Sequence, residues 1–236
     1  LKLEPLQYRA DANVPVITTL EVQKRNKERV NVYLDGDYAF SLGMMDAVRL
    51  HKGQTLTEDE ITQLKGDDLV LRAVESAARF LGHRPRSIAE VRRNLVEKDF
   101  DLGVIDVALE RLTRLGYLDD PAFARYWIQS RTQFKPLGIS ALRFELRQKG
   151  VPDAVIQTAL DEVDDESGAY SAAVALFKRM RGIDRKTARQ KLSTALARRG
   201  FRYDDIRSAI DRLFEETDEN DPGFFASSDT MTDDFD

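Results

Sequence analysis

Residues 139–163 read ISALRFELRQKGVPDAVIQTALDEV, and two other stretches of the chain carry the same pattern. Slid by 51 positions, residues 88–112 (IAEVRRNLVEKDFDLGVIDVALERL) match them without a gap. Ile88 meets Ile139, Val91 meets Leu142, Leu95 meets Leu146, Phe100 meets Val151, Ile105 meets Ile156 and Leu109 meets Leu160. A slide of 50 in the other direction finds a third copy, in which Leu192, Leu196, Gly200, Phe201, Ile206 and Ile210 answer Leu142, Leu146, Gly150, Val151, Ile156 and Leu160. Self-similarity at this period marks tandem supersecondary units, none able to bury its apolar face alone.

Each unit reads as three helices. The first helices are expected over 69–82, 121–134 and 168–181, the second over 87–97, 139–149 and 185–199, and the third over 102–115, 153–163 and 204–215. Second and third helices meet at Asp99-Phe100-Asp101, Gly150-Val151-Pro152 and Gly200-Phe201-Arg202. Glycine suits the left-handed residue just past a helix end, and the apolar residue after it folds back onto the helix. Pro152 fits the first turn of the next helix. Two helices joined this tightly form a helix-turn-helix-like pair.

Upstream of the repeats the pattern changes. Val16–Gln23 and Val30–Leu34 are rich in β-branched residues, and Asp35-Gly36 before Tyr38-Ala39-Phe40-Ser41 is a strong two-residue hairpin signal. A small three-stranded antiparallel sheet is expected over 16–42, then a short helix over 44–50. Thr57 and Glu60 form a capping box for a helix over 58–65, which Gly66 closes. The fold class is therefore mainly α: three tandem three-helix repeats behind a β-hairpin module. The expected divisions are a disordered arm (1–15), the N-terminal module (16–66), repeats at 67–118, 119–166 and 167–216, and an acidic disordered tail (217–236).

Charge is unevenly placed. The chain has 36 basic and 41 acidic residues, a net of −5. Nine of the acidic residues lie between Glu215 and Asp236, where there is no Lys or Arg, so residues 1–214 carry +4. Lys178–Arg212 holds twelve basic residues against four acidic ones. A basic segment before an acidic tail is a recurrent arrangement among polyanion binders.

Nothing in the sequence has the spacing of a catalytic site. There is no cysteine, and His51 and His83 stand apart from any ligand or nucleophile partner. Asp35 and Asp37 are explained by the turn they flank, and no phosphate loop, GxSxG or HExxH occurs. No enzyme, cofactor or metal is expected. The lack of cysteine suits the cytoplasm, the opening residues lack a signal peptide's order, and no apolar run reaches the length of a membrane span.

A DNA-reading helix-turn-helix places its last helix in the major groove. The third helices here carry Asp106, Glu110, Asp153, Asp161 and Glu162, which phosphates repel. Basic residues gather on the second helices instead: Arg92 and Arg93; Arg143, Arg147 and Lys149; Lys186, Arg189, Lys191, Arg198 and Arg199. In a tandem stack these would line one positive ridge suited to an extended polyanion. The remaining alternative is a sequence-specific transcription regulator built from the same units.

The densest cluster of distinctive residues is LGYLDDPAFARYWIQSRTQFKPLGISALRFELRQKGV, residues 115–151. Asp120 before Pro121 reads as an N-cap. Phe123, Tyr126 and Trp127 share a helix face, and Arg131 and Lys135 continue that helix as further binding candidates. Through Leu118-Asp119-Asp120, Phe123-Ala124, Arg131, Gly138, Glu145-Leu146 and Lys149-Gly150, the cluster closely resembles the RecX family, bacterial regulators of the recombinase RecA. The resemblance extends over about residues 16–215, including Tyr38-Ala39-Phe40-Ser41 and the Lys52-Gly53 segment. It implies a protein that lodges in the groove of the RecA–DNA filament and inhibits its extension, ATPase, strand exchange and coprotease activities; a monomer is expected. DNA repair, homologous recombination and the SOS response are the implied setting. It further implies direct contact with DNA, and the basic segment 178–212 without base-reading helices makes single- or double-stranded DNA without strong sequence preference the expected partner.

Overall fold

The computed structural model describes residues 14–226. The expected arm, up to residue 13, and the last ten residues of the expected tail lie outside the described residues. The described chain forms two compact units, one holding residues 14–84 and 91–117, the other residues 85–90 and 118–226.

In the first unit, β1 (Ile17–Val22), β2 (Arg29–Leu34) and β3 (Asp37–Gly43) form an antiparallel sheet in the order β1-β2-β3. The turn from β2 to β3 places Asp35 at φ 52° and Gly36 at φ 98°. Two successive left-handed residues match the right-handed twist of a two-residue hairpin, the geometry that an Asp-Gly pair tolerates best. Alternation then puts Val30, Val32, Phe40 and Leu42 on the buried face with Ile17, Leu56 and Ala47, the last from the short helix α1 (Met44–Ala47).

Helix α2 (Glu58–Leu81) supplies the support this sheet needs. Its capping box forms as expected: the Glu60 N–H donates to Thr57 Oγ1 at 3.2 Å, and the Thr57 N–H donates to Glu60 Oε2 at 2.7 Å. The helix does not stop at Gly66. Residues 58–65 and 69–82, expected as two helices, are one element of 24 residues. A mid-helix glycine costs only about 1 kcal/mol, and sheet packing along Ile61 and Leu64 together with a bidentate pair at Asp68 holds the helix continuous. Arg29 donates to both Asp68 oxygens at 2.9 Å, and Asp68 is buried. Helices α3 (Ile88–Val96) and α4 (Leu102–Arg114) complete the first repeat. Val91, Leu95, Ile105, Ala108 and Leu112 are all buried, the apolar register read from the repeat.

The second unit contains two further repeats, α5 (Asp120–Phe134), α6 (Ile139–Gln148) and α7 (Asp153–Leu160), then α8 (Asp165–Phe177), α9 (Arg185–Arg198) and α10 (Tyr203–Asn220). Each has its own core: Phe123, Leu142, Leu146, Val151, Ile156 and Leu160 in one, Phe177, Leu192, Leu196, Phe201, Ile206, Ile210, Leu213 and Phe214 in the other. Fully burying such a side chain contributes about 1.5–3 kcal/mol.

The turns between second and third helices share one geometry. Asp99, Gly150 and Gly200 have φ of 59°, 77° and 82°. After each, the next N–H reaches back to the final turn: Phe100 to Leu95 O, Val151 to Leu146 O and Phe201 to Leu196 O. This is the Schellman closure, and it folds Phe100, Val151 and Phe201 inward.

Two expectations at element ends change. The N-cap of α5 is Asp119, whose carboxylate accepts from the Ala122 N–H at 2.7 Å; Asp120 lies inside the helix with another task, described below. The tail expected to be disordered from residue 217 begins as helix, since α10 runs to Asn220, and Phe224 and Phe225 then pack on the core of the third repeat. Composition suggested too few apolar groups to order this segment, but two adjacent phenylalanines suffice when Phe177 and Phe214 offer a surface.

Candidate nucleic-acid interface

The second helices of the second unit are joined end to end. At the N-terminus of α6, the Gly138 N–H donates to Arg199 O at 2.9 Å, just beyond the end of α9, and the Ile139 N–H donates to Asp165 Oδ1 at 3.0 Å. The first turn of α3 repeats the joint: Ser87 Oγ donates to Lys149 O at 2.5 Å, beyond the end of α6, and the Ile88 N–H donates to Asp120 Oδ1 at 2.9 Å. At both joints a carboxylate from the first turn of one repeat's first helix satisfies an orphan N–H of the preceding repeat's second helix. Asp120 and Asp165 are buried, and desolvation, opposed by these backbone hydrogen bonds, pushes both carboxyls above their ordinary range.

Many of the residues that resemble the RecX pattern assemble this joint. Lys149 Nζ lies 3.2 Å from Glu90 Oε1 and 4.9 Å from the centre of the Trp127 ring, while the Arg131 guanidinium sits 4.6 Å from the same ring. Glu145 accepts from Trp127 Nε1 at 2.8 Å and from Arg131 Nε at 2.7 Å. Lys149 and Arg131 are thus tied into a half-buried network around an indole, and this use of them was not legible in the sequence. Tyr126, on the same helix, is exposed.

The basic ridge expected on the second helices is divided by its surroundings. Arg92 pairs with Asp106 at 2.6 Å, Arg147 with Asp153 at 2.7 Å and Arg189 with Asp211 at 2.7 Å. Arg143 donates to Gln157 Oε1 at 2.9 Å. The acidic third helices therefore neutralise part of the second helices within each repeat. The Asp153 carboxylate raises the Arg147 pKa above its usual value, and its own is lowered by the same hydrogen bond. Such exposed pairs contribute little to stability, but each leaves one cation less for a ligand.

Of the cations expected to bind, those with neither an ion pair nor a side-chain hydrogen bond among the described residues are Arg93 on α3, Lys135 after α5, and Lys186, Lys191, Arg198 and the half-buried Arg199 on or just after α9. Lys186, Gln190, Thr194 and Arg198 follow one another at intervals of four, with Lys191 beside them, and all five are exposed. A helix places such residues in a single stripe. Phe144, 61% exposed, sits on α6 between Arg143 and Arg147, giving an aromatic surface in the neighbouring helix of the row. Among the described residues no group of His, Cys, Asp or Glu is placed to hold a metal ion, and no helix is long and apolar enough to cross a membrane.

Four family models match the chain: the regulatory protein RecX N-terminal domain over residues 15–57, and the first, second and third RecX three-helix domains over 73–112, 119–160 and 164–210. The chain is 33% identical over 212 residues to the regulatory protein RecX of Bacillus subtilis, covering 88% of this chain and 80% of that one. It is 34% identical over 211 residues to a RecX from Lactobacillus delbrueckii subsp. bulgaricus, covering 87% and 77%. A crystal structure of regulatory protein RecX superposes with a TM-score of 0.67 at 27% identity, over 86% of this chain and 99% of that one. A RecX crystal structure from Lactobacillus salivarius shares the fold with a TM-score of 0.58 at 22% identity, over 63% and 99%.

Proposed function

The chain belongs to the RecX family of regulatory proteins, and from that premise we propose that it regulates RecA by binding the RecA–DNA filament through the second-helix row of its last two repeats. Binding there opposes filament extension and, with it, ATP turnover, strand exchange and coprotease activity. The protein acts by occupancy, without catalysis of its own, in the cytoplasmic setting of DNA repair.

The observation that carries this reading is the exposed stripe Lys186–Lys191–Arg198, whose cations have no ion-pair partner in their own repeat, on a helix that abuts α6. Unpaired cations along a row that slants round the helix can meet successive phosphates of a strand that crosses it, and several weak contacts there add up. Operator reading is disfavoured by the same geometry. Asp106 and Asp153 lie on the helices that would enter a major groove, and each is already engaged with an arginine.

The test is RecA ATPase and filament length with wild-type protein and with Lys186→Glu, Lys191→Glu and Arg198→Glu combined. Reversal of Asp161 and Glu162 to lysine, in the turn just beyond α7, serves as control. After circular dichroism confirms folding, the combined variant is expected to lose inhibition while the control keeps it. Equal inhibition by both would remove α9 as the working surface and pass the role to the exposed Tyr126 and Phe144.

A further inference from the structure

The last turn of α10 and the chain beyond it cross back over the start of α9. Asp218 lies 2.6 Å from Arg185 Nη1, and Asp221 pairs with Arg181. The Gly182 N–H donates to Phe224 O at 2.9 Å, and the Ala226 N–H donates to Ile183 O at 3.3 Å. Between these bonds, Phe224 stacks on Phe177 with ring centres 4.2 Å apart, and Phe225 meets Phe214 edge-on at 4.9 Å. The Arg185 guanidinium covers the rings of Phe214 and Phe225 at 5.2 and 5.4 Å. Residues 218–226 therefore form a strap held by two ion pairs, two backbone hydrogen bonds and four aromatic rings. It ends against Ile183, immediately before α9.

Ten residues follow, with four carboxylates at Asp229, Asp233, Asp234 and Asp236 and no cation. Fully extended they reach roughly 33–36 Å. Helix α9, with 14 residues, is about 21 Å long. The segment thus starts at the N-terminal end of the basic stripe, is long enough to reach Arg198, and has the complementary sign. Tethering at Ile183 holds it at a high effective concentration beside that stripe, so weak individual contacts are enough.

We propose that residues 227–236 dock on the exposed Lys186, Lys191 and Arg198 of α9, making this acidic segment an intramolecular competitor for the polyanion. The docking stands on the strap and the charges alone; the competition rests on the proposed role of α9. A ligand dense in phosphate would displace the docked segment, while the strap stays packed on the core.

Amide spectra of the isotope-labelled full chain and of a chain ending at Ala226 separate the two parts. Without DNA, shift differences are expected at the Lys186–Arg198 amides, closing at high salt and independent of protein concentration. Superimposed α9 resonances overturn the docking, and a difference that grows with protein concentration assigns the tail to a second copy and overturns it equally. A fluorescein-labelled oligo-dT is then titrated at low salt. The shortened chain, and a full-length variant with the four aspartates changed to asparagine, should bind roughly three- to tenfold more tightly than wild type, with the gap closing as salt rises. Measurable binding with no gap overturns the competition. Shift differences without oligonucleotide binding by any form leave the docking in place and refute instead the polyanion role of α9.

Discussion

Replacing Gly150 with alanine isolates the physical demand of the joint between repeats. Two effects add. At φ 77° any side chain is strained by roughly 1–2 kcal/mol. The new methyl would also fall inside the van der Waals envelope of the Ala89 methyl in the first turn of α3, an overpacking worth about 1–3 kcal/mol. Gly116 is the control: it also has φ 77°, closes α4 in the same way, and has open space where its Cβ would sit. Gly116→Ala therefore reports the conformational strain alone, offset by the stiffer unfolded chain in both variants. Gly150→Ala should cost about 1–3 kcal/mol more than Gly116→Ala, a further fall in Tm of roughly 2–12 °C for a chain of 236 residues that unfolds as a whole. Thermal unfolding followed by circular dichroism, with urea midpoints as a second measure, reads the difference. Ala89→Gly combined with Gly150→Ala, measured against Ala89→Gly alone so that the cost of a helical glycine cancels, should recover the steric share and leave the strain. Equal destabilisation by Gly150→Ala and Gly116→Ala, or no recovery in the double variant, would refute the joint as described.

Three further outcomes are expected. DNA binding should weaken linearly in log affinity against log salt and differ little between random and selected duplexes; a salt-insensitive, operator-specific complex would contradict phosphate contact, and filter or anisotropy titrations decide. At Asp120, asparagine should be tolerated near neutral pH because it keeps an acceptor for the Ile88 N–H without a charge that burial disfavours, whereas alanine should lower stability by about 1–2 kcal/mol; urea midpoints of the two variants measure this. On acidification, the carboxylates of Glu60, Asp153, Asp164, Asp184 and Glu216, lowered by their hydrogen bonds, contribute stability present above the unfolded values near 4 and lost as pH falls through their folded ones. Asp120 and Asp165, raised by burial, act oppositely, favouring the fold as they protonate, so Asp120→Asn should steepen the net loss of stability between pH ~5 and ~3 measured by urea midpoints.

The sequence by itself determined whatever depends on local periodicity and turn chemistry. Spacing of Leu142, Leu146, Ile156 and Leu160 and their counterparts fixed three helical units, and Asp35-Gly36 fixed the hairpin, because side-chain direction follows directly from position along a helix or strand. The left-handed turn at Asp99, which the repeat aligns with Gly150, was not read from the sequence, because no glycine stands there to mark it. Only the tertiary structure decided how the charges are used. A cation looks the same in sequence whether it faces solvent, as Lys186 does, or meets a carboxylate from the next helix, as Arg147 does with Asp153. The joint had the same opacity: Asp120 and Ile88 are 32 positions apart, and nothing local says that one caps the other. Continuity of α2 through Gly66 and ordering of Phe224 and Phe225 belong here too, because in both cases packing energy from distant residues outweighs a local preference of about 1 kcal/mol.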